Sequence, residues 1–110
     1  MLKMDLEYVE GILFIRLDGS LTRRSSYKIY NYLGPVIKKH RIKNLIYNLK
    51  DLKSIDETGI DSILHTKCLV RKNQGKILLC EVNDDNSLKM KRLHIKQTTS
   101  EKEALKRLEV

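Results

Sequence analysis

The stretch "LKSIDETGIDSIL", Leu52 to Leu64, changes character halfway along. A polar knot, Asp56-Glu57-Thr58-Gly59, gives way to Ile60, Ile63 and Leu64, which recur at helical spacing. Cys68 and then Val70 or Arg71 continue the stripe, so the spacing predicts a helix from Gly59 to Asn73-Gln74-Gly75, with Gly75 as its left-handed cap. Acids, a hydroxyl and a glycine at a helix start have two readings. One is a plain cap at Thr58, with acids placed favourably in the first turn. The other is a site that receives or presents a phosphate, because a helix N-terminus offers free N–H groups and the positive end of a dipole.

The flanks say what this helix connects. "NLIYNL" (Asn44 to Leu49) is apolar on both sides and reads as a central strand. "KILLCEV" (Lys76 to Val82) is a further apolar strand. Strand, helix and strand in that order give a parallel pair with a right-handed crossover. Upstream, "KMDLEYVEG" alternates, with Met4, Leu6 and Tyr8 opposite Asp5 and Glu7. "ILFIRLDG" places Ile12, Phe14 and Arg16 on one face and Leu13, Ile15 and Leu17 on the other, and Asp18-Gly19 is expected to close it. The two strands form a hairpin around Glu10-Gly11.

"SSYKIYNYLGPVIKKHR" (Ser25 to Arg41) reads as a helix capped by Ser25 or Ser26, with Tyr30, Leu33 and Ile37 on one face. Pro35 removes a backbone donor, so a kink or break is expected at Gly34-Pro35. After the polar loop "NDDNS", Arg92 to Gln97 offers a short edge strand. Ser100 and Glu103 form a capping box for a closing helix that carries Ala104, Leu105 and Leu108 as its apolar stripe. The expected fold class is α/β: a mixed sheet of four or five strands with helices mainly on one face, the whole chain 1–110 forming a single domain.

The 110 residues are 41% hydrophobic and 33% charged. No run approaches the ~18 apolar residues of a membrane span. The N-terminus shows acids and alternation where a signal peptide has an apolar block, so a cytoplasmic location without membrane contact is expected. Cys68 and Cys80 lack C-x-x-C spacing and lie in apolar stretches, which reads as reduced core thiols. His40, His65 and His94 make no ligand pattern, so neither a metal nor a cofactor is expected. No nucleophile with a base, no glycine-rich phosphate loop and no carboxylate pair can be assembled. No catalytic residue is assigned, and the chain reads as a non-enzyme.

The formal net charge is +8, with bases clustered at Arg23-Arg24, Lys38 to Lys43 and Lys89 to Arg92. That balance attracts an acidic partner, unless the runs are simply solvated faces. A nucleic-acid binder wants bases and aromatics on one face. Here the bases are spread over several segments, and Tyr27, Tyr30 and Tyr32 read as packing residues, so nucleic acid is the disfavoured partner.

Leu49, Leu52, Ile55, Asp56, Thr58, Gly59 and Ile60, with Gly75-Lys76-Ile77 after the helix and "ILFIRLDGSL" before it, resemble a STAS domain of the anti-sigma factor antagonist family. The resemblance covers nearly the whole chain. It implies a small STAS-like fold and partner switching. The unphosphorylated form binds an anti-sigma factor that is also a kinase and so frees a sigma factor. Phosphorylation at Thr58 releases the complex, and a phosphatase resets it. The resemblance also implies partner contacts at Asp56, Glu57, Thr58 and Gly59 and at the turn Thr22-Arg23-Arg24. Asp56 would orient the hydroxyl, and Gly59 would let another backbone approach.

Four departures stand out against that pattern. Glu57 occupies a place where relatives carry a small residue. Thr22 with Arg23-Arg24 stands where many carry an acid. The chain is basic where such antagonists are acidic. The segment before the last helix is short, with its helix reduced to a turn around Ser87 to Met90. The alternative function is a phosphorylation-independent scaffold subunit of a larger sensory assembly.

Overall fold

The structure, a computed structural model, describes residues 1–108. Five strands form one sheet in the order β1-β2-β3-β4-β5: Leu2–Val9, Ile12–Leu21, Asn44–Ile55, Lys76–Cys80 and Lys96–Thr98. β1 pairs antiparallel with β2, and every other pairing is parallel. Val9 faces Ile12 across a two-residue turn in which Glu10 and Gly11 both have positive φ, the hairpin geometry expected of a tight connection. β3 lies third of five, as its two-sided apolar character requires.

Alternation sorts the side chains into two cores. Leu13, Ile15 and Leu17 of β2 join Leu45, Tyr47 and Leu49 of β3 in the larger cluster. Ile29, Leu33 and Ile37 from the first helical segment, Ile60, Ile63, Leu69 and Val70 from the helix α2 (Glu57–Lys72), and Met90 and Leu93 cover that face. Tyr47 is fully buried, and its hydroxyl bonds Thr66 Oγ1 at 2.7 Å, so no polar atom is stranded there. On the other face Phe14, Ile46, Leu78 and Cys80 pack under Ala104, Leu105 and Leu108 of the last helix, α4 (Glu101–Leu108). Helices therefore lie mainly on one face, and among the described residues α4 alone lies across the sheet.

α4 opens as its sequence dictates, with the Glu103 N–H donating to Ser100 Oγ at 3.1 Å. The return arm of the expected box shifts by one residue, because the Glu103 carboxylate takes the Thr99 hydroxyl instead. Glu109 and Val110, included in the expected helix, lie outside the described residues.

Several expected boundaries moved. β2 does not stop at Asp18-Gly19. The register slips there and the strand runs on to Leu21, while the Ser20 N–H donates to the Met1 carbonyl at 3.2 Å. β4 ends at Cys80, and β5 begins at Lys96, since Arg92 belongs to a 3₁₀ turn over Lys91–Leu93. The reduced helix α3 spans Ser87–Met90, where the short segment predicts it.

Pro35 does not break its helix. A π turn over Ile29–Leu33 precedes α1 (Gly34–Lys39), and the Gly34 N–H reaches back five residues to the Ile29 carbonyl. The wider turn absorbs the missing donor of Pro35, and its extra residue rotates the face. Ile29 rather than Tyr30 enters the core, and Tyr30 lies on the surface against His65, ring centroids 4.9 Å apart.

Gly75 is not a left-handed cap either. Gln74 takes the positive φ, of 62°. Gly75 is required because a Cβ there would fall 2.2 Å from the Lys43 carbonyl oxygen. Cys80 is buried as expected, but Cys68 is exposed, because the true core stripe of α2 runs through Thr66, Leu69 and Val70. No helix among the described residues is long and apolar enough to cross a membrane.

Candidate functional site

The polar knot sits where β3 hands over to α2. Asp56, in extended conformation, is the N-cap, and its Oδ1 accepts the Gly59 N–H at 2.9 Å. Thr58 is thus the second helical residue and not the cap. Its hydroxyl makes no hydrogen bond among the described residues, and the side chain is half-buried. The other oxygen of Asp56, Oδ2, accepts the Arg23 N–H at 2.9 Å, from the turn that follows β2. One carboxylate therefore joins two segments 33 residues apart in sequence.

Two further contacts fix that junction. The Asp56 N–H donates to the Leu21 carbonyl at 3.2 Å. Gly59 lies directly over the same carbonyl, where a Cβ would come within 2.2 Å of its oxygen. The backbone that needs Gly59 is the chain's own, whereas the resemblance assigned that approach to another chain. The Thr22 turn is braced in turn, its carbonyl accepting the Ser25 and Ser26 N–H groups at 3.0 and 2.8 Å. Neither serine caps a helix by the usual acceptance. Ser25 Oγ accepts the Thr22 N–H at 2.9 Å. Asp56, Glu57, Thr58, Gly59, Thr22, Arg23 and Arg24 thus share one edge of the molecule, with the Arg23 and Arg24 side chains exposed.

Glu57 is not a bare charge beside Thr58. Arg92 meets its carboxylate with two bonds, of 2.6 and 2.7 Å, and this pairing holds Glu57 below the usual carboxylate range. Lys89 Nζ reaches the Ile55 carbonyl at 3.0 Å, and Asn83 and Asn86 both donate to the Leu52 carbonyl. The segment 83–93 is thereby tied along the end of β3, and it brings Leu88, 75% exposed, to the same end of the molecule. In the sequence Lys89 to Arg92 stand out only as a basic cluster, and nothing brings them or Leu88 to this site, because no local pattern links residues 35 positions apart.

Asp56 is held below its ordinary range chiefly by the Gly59 N–H, with the Arg23 and Thr58 N–H groups adding to it. Its folded pKa is depressed, so the stability it contributes is fully present above the unfolded value near 3.9. That contribution disappears as pH falls through the lower folded value. Asp56→Ala is expected to cost about 1 kcal/mol at neutral pH, the worth of a lost cap. The difference from wild type should shrink as pH falls through that lower folded value, in urea titrations run at neutral and at acid pH. A difference that persists in acid would contradict the role assigned to the carboxylate.

A second polar cluster lies under α4. Arg16 reaches Glu101 with two bonds of 2.8 Å, and Asn48 Nδ2 donates to Glu81 and Glu101 at 2.7 Å each. Cys80, Glu81 and Glu101 place one potential ligand atom each within 4.8 Å of one another. Glu101 is already taken by Arg16, and burial pushes the Cys80 thiol up to about 12, so it is protonated at neutral pH. These residues read as a clamp that holds α4 to the sheet.

The architecture is a five-stranded sheet with one antiparallel edge strand, covered mainly on one face, with Thr58 in the first turn of the helix that follows its central strand. The STAS domain family model matches residues 3–104, and the chain belongs to that family. It is 27% identical over 82 residues to the anti-sigma F factor antagonist of Paenibacillus polymyxa, across 74% of this chain and 70% of that one. It superimposes on unphosphorylated SpoIIAA with a TM-score of 0.79 at 21% identity, covering 96% of each chain. It also superimposes on the phosphorylated form of Bacillus SpoIIAA, with a TM-score of 0.76 at 20% identity, covering 96% of this chain and 98% of that one.

Proposed function

We propose that this protein is an anti-sigma factor antagonist that acts by partner switching, with Thr58 as its phosphorylated residue. The observation that carries the reading is the placing of Thr58. It stands in the first turn of α2 with no hydrogen bond on its hydroxyl, beside a turn that Asp56 ties to it. Binding of an anti-sigma factor in the unphosphorylated state uses the edge formed by the α2 start and Thr22-Arg23-Arg24. The exposed arginines speed association with an acidic partner surface, and added salt slows it. The partner is an anti-sigma factor with kinase activity, and a phosphatase restores the active form. The chain itself is a binding module and performs no chemistry.

The relatives support the reading. One is named as an antagonist of an anti-sigma factor, and the SpoIIAA fold is described in a phosphorylated form. The phosphate is not absorbed by its own domain. The Gly59 N–H that would receive it is already bonded to Asp56, so the phosphate stays available to act across an interface.

Incubation with the cognate kinase and ATP is expected to add one phosphate, located on Thr58 by mass spectrometry. Thr58→Ala should abolish it while leaving the circular dichroism spectrum unchanged. The neighbouring serines serve as internal controls. Ser62 is fully buried and donates to the Gly59 carbonyl, and Ser54 pairs with Ser20 at 2.8 Å. A phosphate on Ser54 or Ser62 would overturn the assignment.

A further inference from the structure

Two turns meet at the end of β3 opposite Thr58. One joins α1 to β3 and the other joins α2 to β4. The Asn73 side chain crosses between them, donating to the Ile37 and Ile42 carbonyls at 3.2 and 3.0 Å. The Lys76 N–H donates to the Lys43 carbonyl at 2.6 Å, and Gly75 packs against that same carbonyl. The turns are thus cross-braced into one rigid frame.

A cleft of about 510 Å³ opens on this frame, lined by Lys38, Arg41, Lys43, Lys72, Asn73 and Gln74, with Leu69 at its base. No carboxylate lines it. Among the described residues, none of the four bases has an acidic partner within 4.0 Å. Lys38 and Lys72 stand in the last turns of their helices, where a cation offsets the negative end of the dipole. Arg41 and Lys43 lie beyond both helix ends, so capping does not account for them. Four like charges around one concavity repel each other, and a multivalent anion removes that repulsion.

The donor set selects among anions. Ammonium groups and an arginine fork suit phosphate oxygens, and the Gln74 amide adds a neutral donor, that of Asn73 being spent on the Ile37 and Ile42 carbonyls. A volume of this size falls in the range of small-molecule sites, roughly 300–1,000 Å³. A protein partner would want an apolar anchor, and the one apolar side chain in the cleft, Leu69, is itself buried.

We propose that this cleft binds a soluble ligand carrying clustered phosphate groups, such as an oligophosphate chain. The site is separate from Thr58 and does not depend on the function proposed above.

The test titrates inorganic tripolyphosphate into the full chain by calorimetry at about 0.15 M salt, where weak exposed attractions are screened. The expected result is saturable one-to-one binding. Joint replacement Lys38→Gln, Arg41→Gln and Lys72→Gln should weaken it by at least about tenfold, since several charge-assisted bonds are lost. Arg23→Gln with Arg24→Gln, at the opposite end, should leave it unchanged. All these side chains are exposed, so the variants keep the fold, which circular dichroism checks directly. Absence of saturable binding would overturn the proposal, as would equal losses in the two variant sets. Binding of a single-stranded oligonucleotide without binding of tripolyphosphate would overturn it too, in favour of a reader of polymer backbone.

Discussion

Gly59→Ala is expected to lower the unfolding free energy by about 3 kcal/mol, a severe loss for a domain of this size. The new methyl would meet the Leu21 carbonyl oxygen at 2.2 Å, its carbon at 3.0 Å and Ile55 Cγ1 at 2.8 Å. Two of these are backbone atoms of β2, and that carbonyl is also held by the Asp56 N–H. It cannot retreat without pulling the site apart. An opposing term exists, because Gly59 lies within α2 and alanine is the better helix former by about 1 kcal/mol. The clash wins, since no flexible side chain is available to yield. Urea unfolding of Gly59→Ala beside Glu57→Ala, an exposed neighbour, isolates the effect. A Gly59→Ala midpoint equal to wild type would show that the two segments do not touch as described.

The second large effect concerns affinity. On the proposed mechanism, phosphorylation at Thr58 adds a charge of about −1.5 to −2 at neutral pH. Asp56 already occupies the Gly59 and Arg23 N–H groups, and Arg92 is engaged by Glu57. The dianion therefore adds to a first turn that holds two carboxylates, and a partner seated on this edge must bury or repel it. We expect binding to weaken at least about 100-fold, close to 2.7 kcal/mol. Thr58→Asp should fall short of that, because it carries one charge on a shorter arm.

The strand faces were legible in the sequence because their signal is local. Alternation in "ILFIRLDG" separated Leu13, Ile15 and Leu17 from Ile12, Phe14 and Arg16, and the structure puts the first set in the large core and Phe14 under α4, with Arg16 bonded to Glu101. The central place of β3 followed from its two-sided apolarity. The misread features are those whose cause lies far along the chain. Asp18-Gly19 looked like a turn, but the chain start comes back to pair there, and the pair became a bulge in a longer strand. Gly75 looked like a cap, yet what demands it is the Lys43 carbonyl. Pro35 was expected to interrupt the helix, and a π turn accommodated it, moving Tyr30 out to the surface.

At the site, the D-x-T-G pattern located the helix start correctly. It left open which residue caps it, and the hydrogen bond from Gly59 assigns the cap to Asp56. Cys68 followed the apolar neighbours in sequence, but the helical angle turns it to solvent. The Arg92 partner of Glu57 carried no sequence signal at all, since it depends on how the segment 83–93 folds against β3.

The anti-sigma factor is immobilised, and the same preparation of this protein is titrated over it before and after stoichiometric phosphorylation by the cognate kinase. Tight binding is expected before phosphorylation and an affinity at least about 100-fold lower afterwards, restored by phosphatase treatment. Equal affinity of the two forms would contradict partner switching.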